Sequence, residues 1–110
     1  MSSGDFVRHS APELIQDIHL APTTHSDACS FGMLILECIT EEPPFSSLTR
    51  DAAVIHARIS RKQCPPRPAG QDPKNHVSDG LWELMMRCWA VKPDERPTMG
   101  EVYSFFLHQT

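Results

Sequence analysis

Apolar positions in this chain recur with the period of a helix, and the short alternating runs that strands need are absent. Proline-rich breaks separate the periodic segments. The first segment, APELIQ at 11–16, carries Pro12 early, where a missing N–H costs a helix little. After a loop, SDACSFGMLILECITEEPPF at 26–45 predicts a helix from Ser26, as N-cap, to Thr40 or Glu41, stopped by Pro43 and Pro44. Asp27 falls in its first turn, where a negative charge is favourable. The rest of this helix is apolar on nearly every face, the pattern of an element in the middle of a fold; its roughly 15 residues would span about 22 Å.

DAAVIHARIS at 51–60 predicts a weaker helix with Ala52, Ile55 and Ile59 on one face. CPPRPAGQDPKNHV at 64–77 is too rich in Pro and Gly to be other than loop. SDGLWELMMRCW at 78–89 places Leu81, Leu84, Met85 and Cys88 at i, i+3, i+4 and i+7, a stripe for a core. The last helix runs from Thr98 to about His108, opened by a Thr98–Glu101 capping box, with Val102, Phe105 and Phe106 as its buried face. Pattern alone supports an all-α class.

Composition narrows the partners more than the fold. With 110 residues the chain is one domain at most. A net charge of −4, with Lys and Arg scattered, offers no basic stripe for nucleic acid. The four cysteines form no C-x-x-C pair and complete no zinc site with the histidines. Cys29, Cys38 and Cys88 lie in apolar helical patterns and are expected as small buried hydrophobes. MSSGDFVRHS lacks the apolar centre of a signal peptide, and the longest apolar run is too short for a membrane span, which needs about 20 residues. An intracellular, reducing compartment, the cytoplasm, is the expectation, with no membrane partner.

Four motifs carry the functional signal: SAPELI at 10–15, the 26–45 stretch, LWELMMRCW at 81–89 and KPDERPTMGEV at 92–102, in that order. Together they resemble the C-terminal lobe of a eukaryotic-type protein kinase, from the end of the activation segment to the last helix, over about residues 4–109. The resemblance implies that 1–110 is a partial kinase domain, its N-terminal lobe and catalytic loop absent. Val7 and Arg8 ahead of Ala-Pro-Glu, the LW…CW helix ending in Trp89, and ERPT resemble the tyrosine-kinase and tyrosine-kinase-like branches. In those branches Trp usually follows the basic residue, whereas this chain has His9; the expectation is a Ser/Thr kinase of the tyrosine-kinase-like group, with Tyr as the other acceptor.

Glu13 and Arg96 are each flanked by residues expected to be buried, and two buried charges must pair, best as a bidentate guanidinium–carboxylate contact. In the family these positions form such a bridge. The residue matching Asp27 there accepts N–H bonds from the catalytic loop; the plainer reading is a carboxylate serving its own helix dipole. With Trp89, these three are assigned structural roles. The resemblance further implies that Val7, Arg8, His9 and Ser10 form the loop receiving the residue after the phosphoacceptor. It also makes the 51–60 helix a docking surface for protein substrates or regulators. Arg67 in PPRP could mark a proline-motif ligand, but a rigid loop is the commoner case.

Phosphoryl transfer needs a Gly-rich loop, a phosphate-binding Lys with its Glu, a base Asp, and Asp and Asn for magnesium. No G-x-G-x-x-G, V-A-I-K, H-R-D or D-F-G occurs, and GDF at 4–6 stands too close to Ala-Pro-Glu for Asp5 to hold magnesium. No catalytic, cofactor-binding or metal residue is therefore expected; ATP and magnesium are implied for the parent kinase only, and this chain is expected to be inactive alone. Two other readings compete: a non-catalytic interaction module derived from a kinase lobe, and an unrelated helical bundle. A lobe missing its neighbours should also bare Phe31, Leu34 or Ile35 of the central helix as an apolar patch and be weakly stable.

Overall fold

The computed structural model describes residues 3–68 and 77–108, with side chains from residue 6 onward. In chain order the elements are α1 (Ser3–His9), α2 (Pro12–Gln16), α3 (Thr24–Thr40), α4 (Asp51–Ile55) running on as a π-helical turn (His56–Ser60), α5 (Asp79–Cys88), a 3-10 turn (Pro93–Glu95) and α6 (Met99–Leu107). Among the described residues every regular element is helical, so the class is all-α.

The central helix α3 starts earlier than expected because Thr23, not Ser26, caps it. Thr23 Oγ1 accepts from the Ser26 N–H at 3.1 Å, and Ser26 Oγ accepts from the Thr23 N–H at 2.7 Å. This is a capping box with Ser at the position where Glu or Gln is usual, so a search for the acidic partner passes over it. At the other end Glu41 takes the left-handed conformation, φ 60°, in which helices commonly terminate, although Gly is the usual residue there.

Around α3 the core assembles from several elements. Cys29, Met33 and Leu36 face Leu84, Met85, Cys88 and Trp89 from the α5 end, while Val54 and Ala57, Val102, Val7 and Ala11 close the remaining sides. Each large side chain fully buried in this way contributes about 1.5–3 kcal/mol. The α3–α5 contact depends on Gly32. A Cβ there would stand 2.8 Å from Trp89 Nε1 and 2.9 Å from Cys88 Cβ. The stripe expected on α5 is present, with Leu84, Met85 and Cys88 buried and Leu81 packed at its edge.

Four local expectations need correction. Val7–Ser10 is not a loop: α1 runs through His9, ending in a bend at Ser10. On the 51–60 segment Ala52 and Ile55 are exposed, and the buried face is Val54, Ala57 and Arg58. That face has helical spacing too, but it carries a charge, and Arg58 can be buried because its Nη1 donates to Val7 O at 2.8 Å and its guanidinium lies 5.9 Å from the Phe45 ring centroid. On α6 Val102 is buried and Phe105 half-buried, but Phe106 is exposed, since α6 lies at the margin of the lobe. Cys38, on the open side of α3, is likewise exposed rather than buried.

That open side carries Leu34, 49% exposed, with Phe31 and Ile35 only partly covered beside it. Of the proline-rich linker, 69–76 lies outside the described residues, and so does the side chain of Asp5. Arg67 itself is held in place: its Nη2 donates to Val77 O and Asp79 Oδ1, both at 2.7 Å, and its guanidinium lies 5.9 Å from the Trp82 ring.

Candidate functional site

Three arginines hold the segment 3–16 against the lobe. Arg96 follows the 3-10 turn and has no exposed side-chain surface. Its Nη1 and Nη2 donate to Glu13 Oε2 and Oε1 at 2.7 and 2.9 Å, Nη1 also to His25 O at 3.0 Å, and Nε to Ala90 O at 3.0 Å. One guanidinium thus joins α2, the start of α3 and the end of α5 through charge-assisted bonds, the bidentate pair being the strongest. Burial alone pushes the Glu13 carboxyl up, but the Arg96 hydrogen bonds and charge outweigh it and hold the group below its ordinary value. Burial likewise pulls on the Arg96 guanidinium, and Glu13 more than restores it.

Arg8, in the last turn of α1, binds the loop after α3. Its Nη1 donates to Pro44 O and Phe45 O at 2.9 and 2.8 Å, and its Nη2 to Leu48 O at 2.6 Å. This loop needs the support, because Phe45 sits at φ 58°, a left-handed conformation that costs a non-glycine residue about 1–2 kcal/mol. Burial of the Phe45 ring and the three Arg8 bonds offset it. Next in the chain, His9 Nε2 lies 2.6 Å from Glu37 Oε1 of α3.

Arg58 is the third, and sequence reasoning missed it. The signal was available in the spacing of Val54, Ala57 and Arg58, but the charge excluded it from an apolar face. Burial pulls its basicity down, opposed by the neighbouring Cys29 and Cys64 thiols.

Of the residues singled out in the sequence, Glu13 and Arg96 come together. Val7 is buried and its carbonyl is bound by Arg58, Arg8 is committed to the 44–48 loop, and Ser10 lies half-buried in the bend after α1. Asp27 is exposed at the start of α3. Trp89 is buried, edge-on to Trp82 at 5.6 Å, with its Nε1 lacking a hydrogen-bond partner.

Taken together, a helix apolar on all sides, an Ala-Pro-Glu turn bridged to an arginine eighty residues on, and a capped last helix describe part of a protein kinase C-terminal lobe. The family model for protein tyrosine and serine/threonine kinases matches residues 3–106, and the chain belongs to that family. It is 35% identical over 97 residues, 87% of its length, to the proto-oncogene tyrosine-protein kinase ROS of Homo sapiens. To a putative mitogen-activated protein kinase kinase kinase 7-like protein of Drosophila melanogaster it is 31% identical over 106 residues, 94% of its length. The tyrosine-protein kinase transforming protein ros of UR2 avian sarcoma virus is 34% identical over 93 residues, 84% of the chain. The matches cover 4%, 25% and 21% of those proteins, so the chain corresponds to a small part of each. The reading as an unrelated helical bundle is thereby overturned.

The ATP and magnesium that the family implies do not fit the residues described. No three His, Cys, Asp or Glu side chains converge among them as metal ligands. A groove of about 840 Å³ beside α5 and α6 is lined by Glu83, Arg87, Glu101 and Phe105 among others, and its Arg87 is paired with Glu101 at 3.2 Å. Among the described residues no helix is long and apolar enough to cross a membrane.

Proposed function

We propose that this chain is the activation-segment anchor and substrate-side scaffold of a protein kinase whose parent transfers phosphate from ATP to Ser or Thr of protein substrates, in an intracellular compartment. The chain alone performs no transfer. The observation that carries this reading is the Glu13–Arg96 bridge with its two carbonyl contacts, which fixes the Ala-Pro-Glu turn to α3 and α5. In phosphoryl transfer the protein's work is positioning and charge stabilisation. What these residues supply is positioning, by setting where the chain emerges before Glu13.

The acceptor assignment follows the resemblance to the tyrosine-kinase-like branch, from which this chain departs in carrying His9 where Trp usually follows the basic residue. His9 is tied to Glu37, so the 7–10 stretch presents a surface fixed by α3. The outer face of 51–60, with Ala52, Ile55 and His56 exposed, is the docking surface for substrates or regulators. Domain boundaries follow: 1–110 is the late part of a kinase domain, and the phosphate-binding and catalytic residues belong to other parts of the parent.

The test is transfer of labelled phosphate from ATP to generic Ser/Thr and Tyr protein substrates. The 110-residue chain is compared with the longest product of its reading frame that also carries a D-F-G segment. Transfer to Ser or Thr by the longer product alone is the expected outcome; transfer by the 110-residue chain would overturn the reading, and transfer to Tyr alone would overturn the acceptor assignment.

A further inference from the structure

Arg58, only 6% exposed, has no carboxylate within ion-pair distance among the described residues. Its Nη1 bond to Val7 O engages one of the five N–H groups that a guanidinium carries. Arg96 is buried as deeply but has Glu13 as counter-charge. A buried cation without one is costly, and burial pulls the basicity of Arg58 down.

Arg58 borders two small spaces, one of about 30 Å³ on the Cys29 side and one of about 80 Å³ on the α2 side, and Lys62 borders both. Lys62 stands at φ 52°, a left-handed conformation that favours glycine, and the Gln63 N–H bond to Ala57 O at 2.9 Å holds the coil there. Strain of this kind on a charged residue at a cavity wall is a pointer to a ligand. Among the described residues Glu13 is the only carboxylate bordering either space, and Arg96 engages both of its oxygens. Cys29 and Cys64, on the smaller space, are pushed up by burial and stay protonated. Two positive charges therefore face the cavity with no negative charge to balance them, and the apolar walls of Pro12, Ile59 and Val91 strengthen their pull on an anion.

We propose that the space between α2 and the π-helical turn binds a single phosphate group, held by Arg58 and Lys62. A dianion balances both cations, where a lone carboxylate would leave one over, and a guanidinium with an ammonium is a donor set that phosphate oxygens accept from well. At about 80 Å³ the larger space holds a few water-sized groups. That is far below the roughly 300 Å³ at which sites for larger ligands begin, so it takes the phosphate group and not a nucleotide. Gln16, at the end of α2, borders the same space, and the anion thereby links α2 to the 56–62 turn. This site stands on the cavity and its charges and does not depend on which acceptor the parent kinase uses.

The experiment titrates the isotope-labelled 110-residue chain with inorganic phosphate at neutral pH, chloride holding the ionic strength constant, and follows the amide resonances by NMR. Shifts that saturate in the millimolar range and centre on residues 12–16 and 58–63 are the expected result. Lys62→Gly suits the left-handed backbone at that position, so the fold is kept while phosphate binding should weaken about tenfold. Arg50→Ala, which removes a cation that borders neither space, should leave binding unchanged. A phosphoserine peptide that binds more tightly than inorganic phosphate would assign the group to a modified side chain, and the reverse order would assign it to the free ion. Shifts that rise without saturating, that scatter over the surface, that chloride reproduces, or that Lys62→Gly leaves intact would overturn the proposal.

Discussion

Removing Arg96 from its pair with Glu13 perturbs three elements at once, whereas removing Glu13 touches α2 first. Arg96→Met strips four hydrogen bonds and leaves the carbonyls of His25 and Ala90 to find other donors, at about 1–3 kcal/mol for each group that stays unsatisfied. Glu13, 21% exposed at its side chain, suffers less because water can reach it. Glu13→Gln leaves the opposite defect: a guanidinium with no exposed surface faces one accepting oxygen where it had two, and an amide NH2 opposes an Nη donor. Breaking a buried pair from one side costs about 3–5 kcal/mol, and the partial exposure of Glu13 places both single variants near the lower end. Both delete the same contact, so the double variant should fall short of the sum, with a coupling energy of about 2 kcal/mol. Urea unfolding followed by fluorescence of Trp82 and Trp89 measures it, with sucrose added where a variant is unfolded in plain buffer. Coupling below about 0.5 kcal/mol would refute the claim that the bridge acts as a unit. Acidification gives a second arm. The folded Glu13 carboxyl titrates below its ordinary value of 4.5, so the bridge stabilises fully above that pH and the stabilisation disappears as pH falls through the folded value. Wild type should lose stability over that acidic window in a way that Glu13→Gln does not.

Gly32→Ala forces a methyl to within 3 Å of Trp89 Nε1 and Cys88 Cβ, and should cost about 1–3 kcal/mol by urea midpoint; an unchanged midpoint would mean that α3 and α5 can part without penalty. Thr98→Ala removes the oxygen that accepts from the Glu101 N–H at 3.1 Å, at a cost of about 1 kcal/mol; a loss too small to shift the melt would show that α6 does not depend on its cap. Leu34→Glu, on the open side of α3, should leave stability within about 0.5 kcal/mol while lowering self-association in sedimentation, and a large destabilisation would mean that this side is covered within the chain.

The helices were legible because their signals are local: Pro12 at the start of α2, the Thr98–Glu101 box, the α5 stripe. The departure at 51–60 has a long-range cause, a contact that reverses a local preference. Arg58 turns inward because Val7 offers a carbonyl and Phe45 a ring fifty-one and thirteen positions away in sequence, and neither can be seen from DAAVIHARIS. Residues 7–9 are helical and Ser10 a bend where the family resemblance implied a loop, with Arg8 in the last turn of α1 reaching the 44–48 loop. In the candidate site the Glu13–Arg96 pairing could be reasoned from burial alone, since two charges in apolar settings leave few other arrangements. Its further bonds to His25 O and Ala90 O could not, because backbone carbonyls leave no trace in side-chain identity.

The way segment 3–16 is attached sets a limit on how much the bridge can cost. Helix α2 buries no residue fully, so the Glu13 bridge and the partly buried Leu14 are its chief hold on the lobe, whereas Val7 and Ala11 anchor their neighbours by apolar burial. If losing the bridge frees only α2, the variant pays no more than the free energy of that local opening, and the global midpoint moves little. If Arg96 also secures the start of α3 and the end of α5, as its two carbonyl bonds indicate, the whole lobe loosens. Amide exchange separates the cases: Glu13→Gln should speed exchange chiefly in residues 12–17, while Arg96→Met should speed it there and around 25–29 and 88–92 as well. That asymmetry follows from which atoms each substitution removes, and equal, purely local exchange in both variants would reduce Arg96 from a junction of three elements to a tether for one.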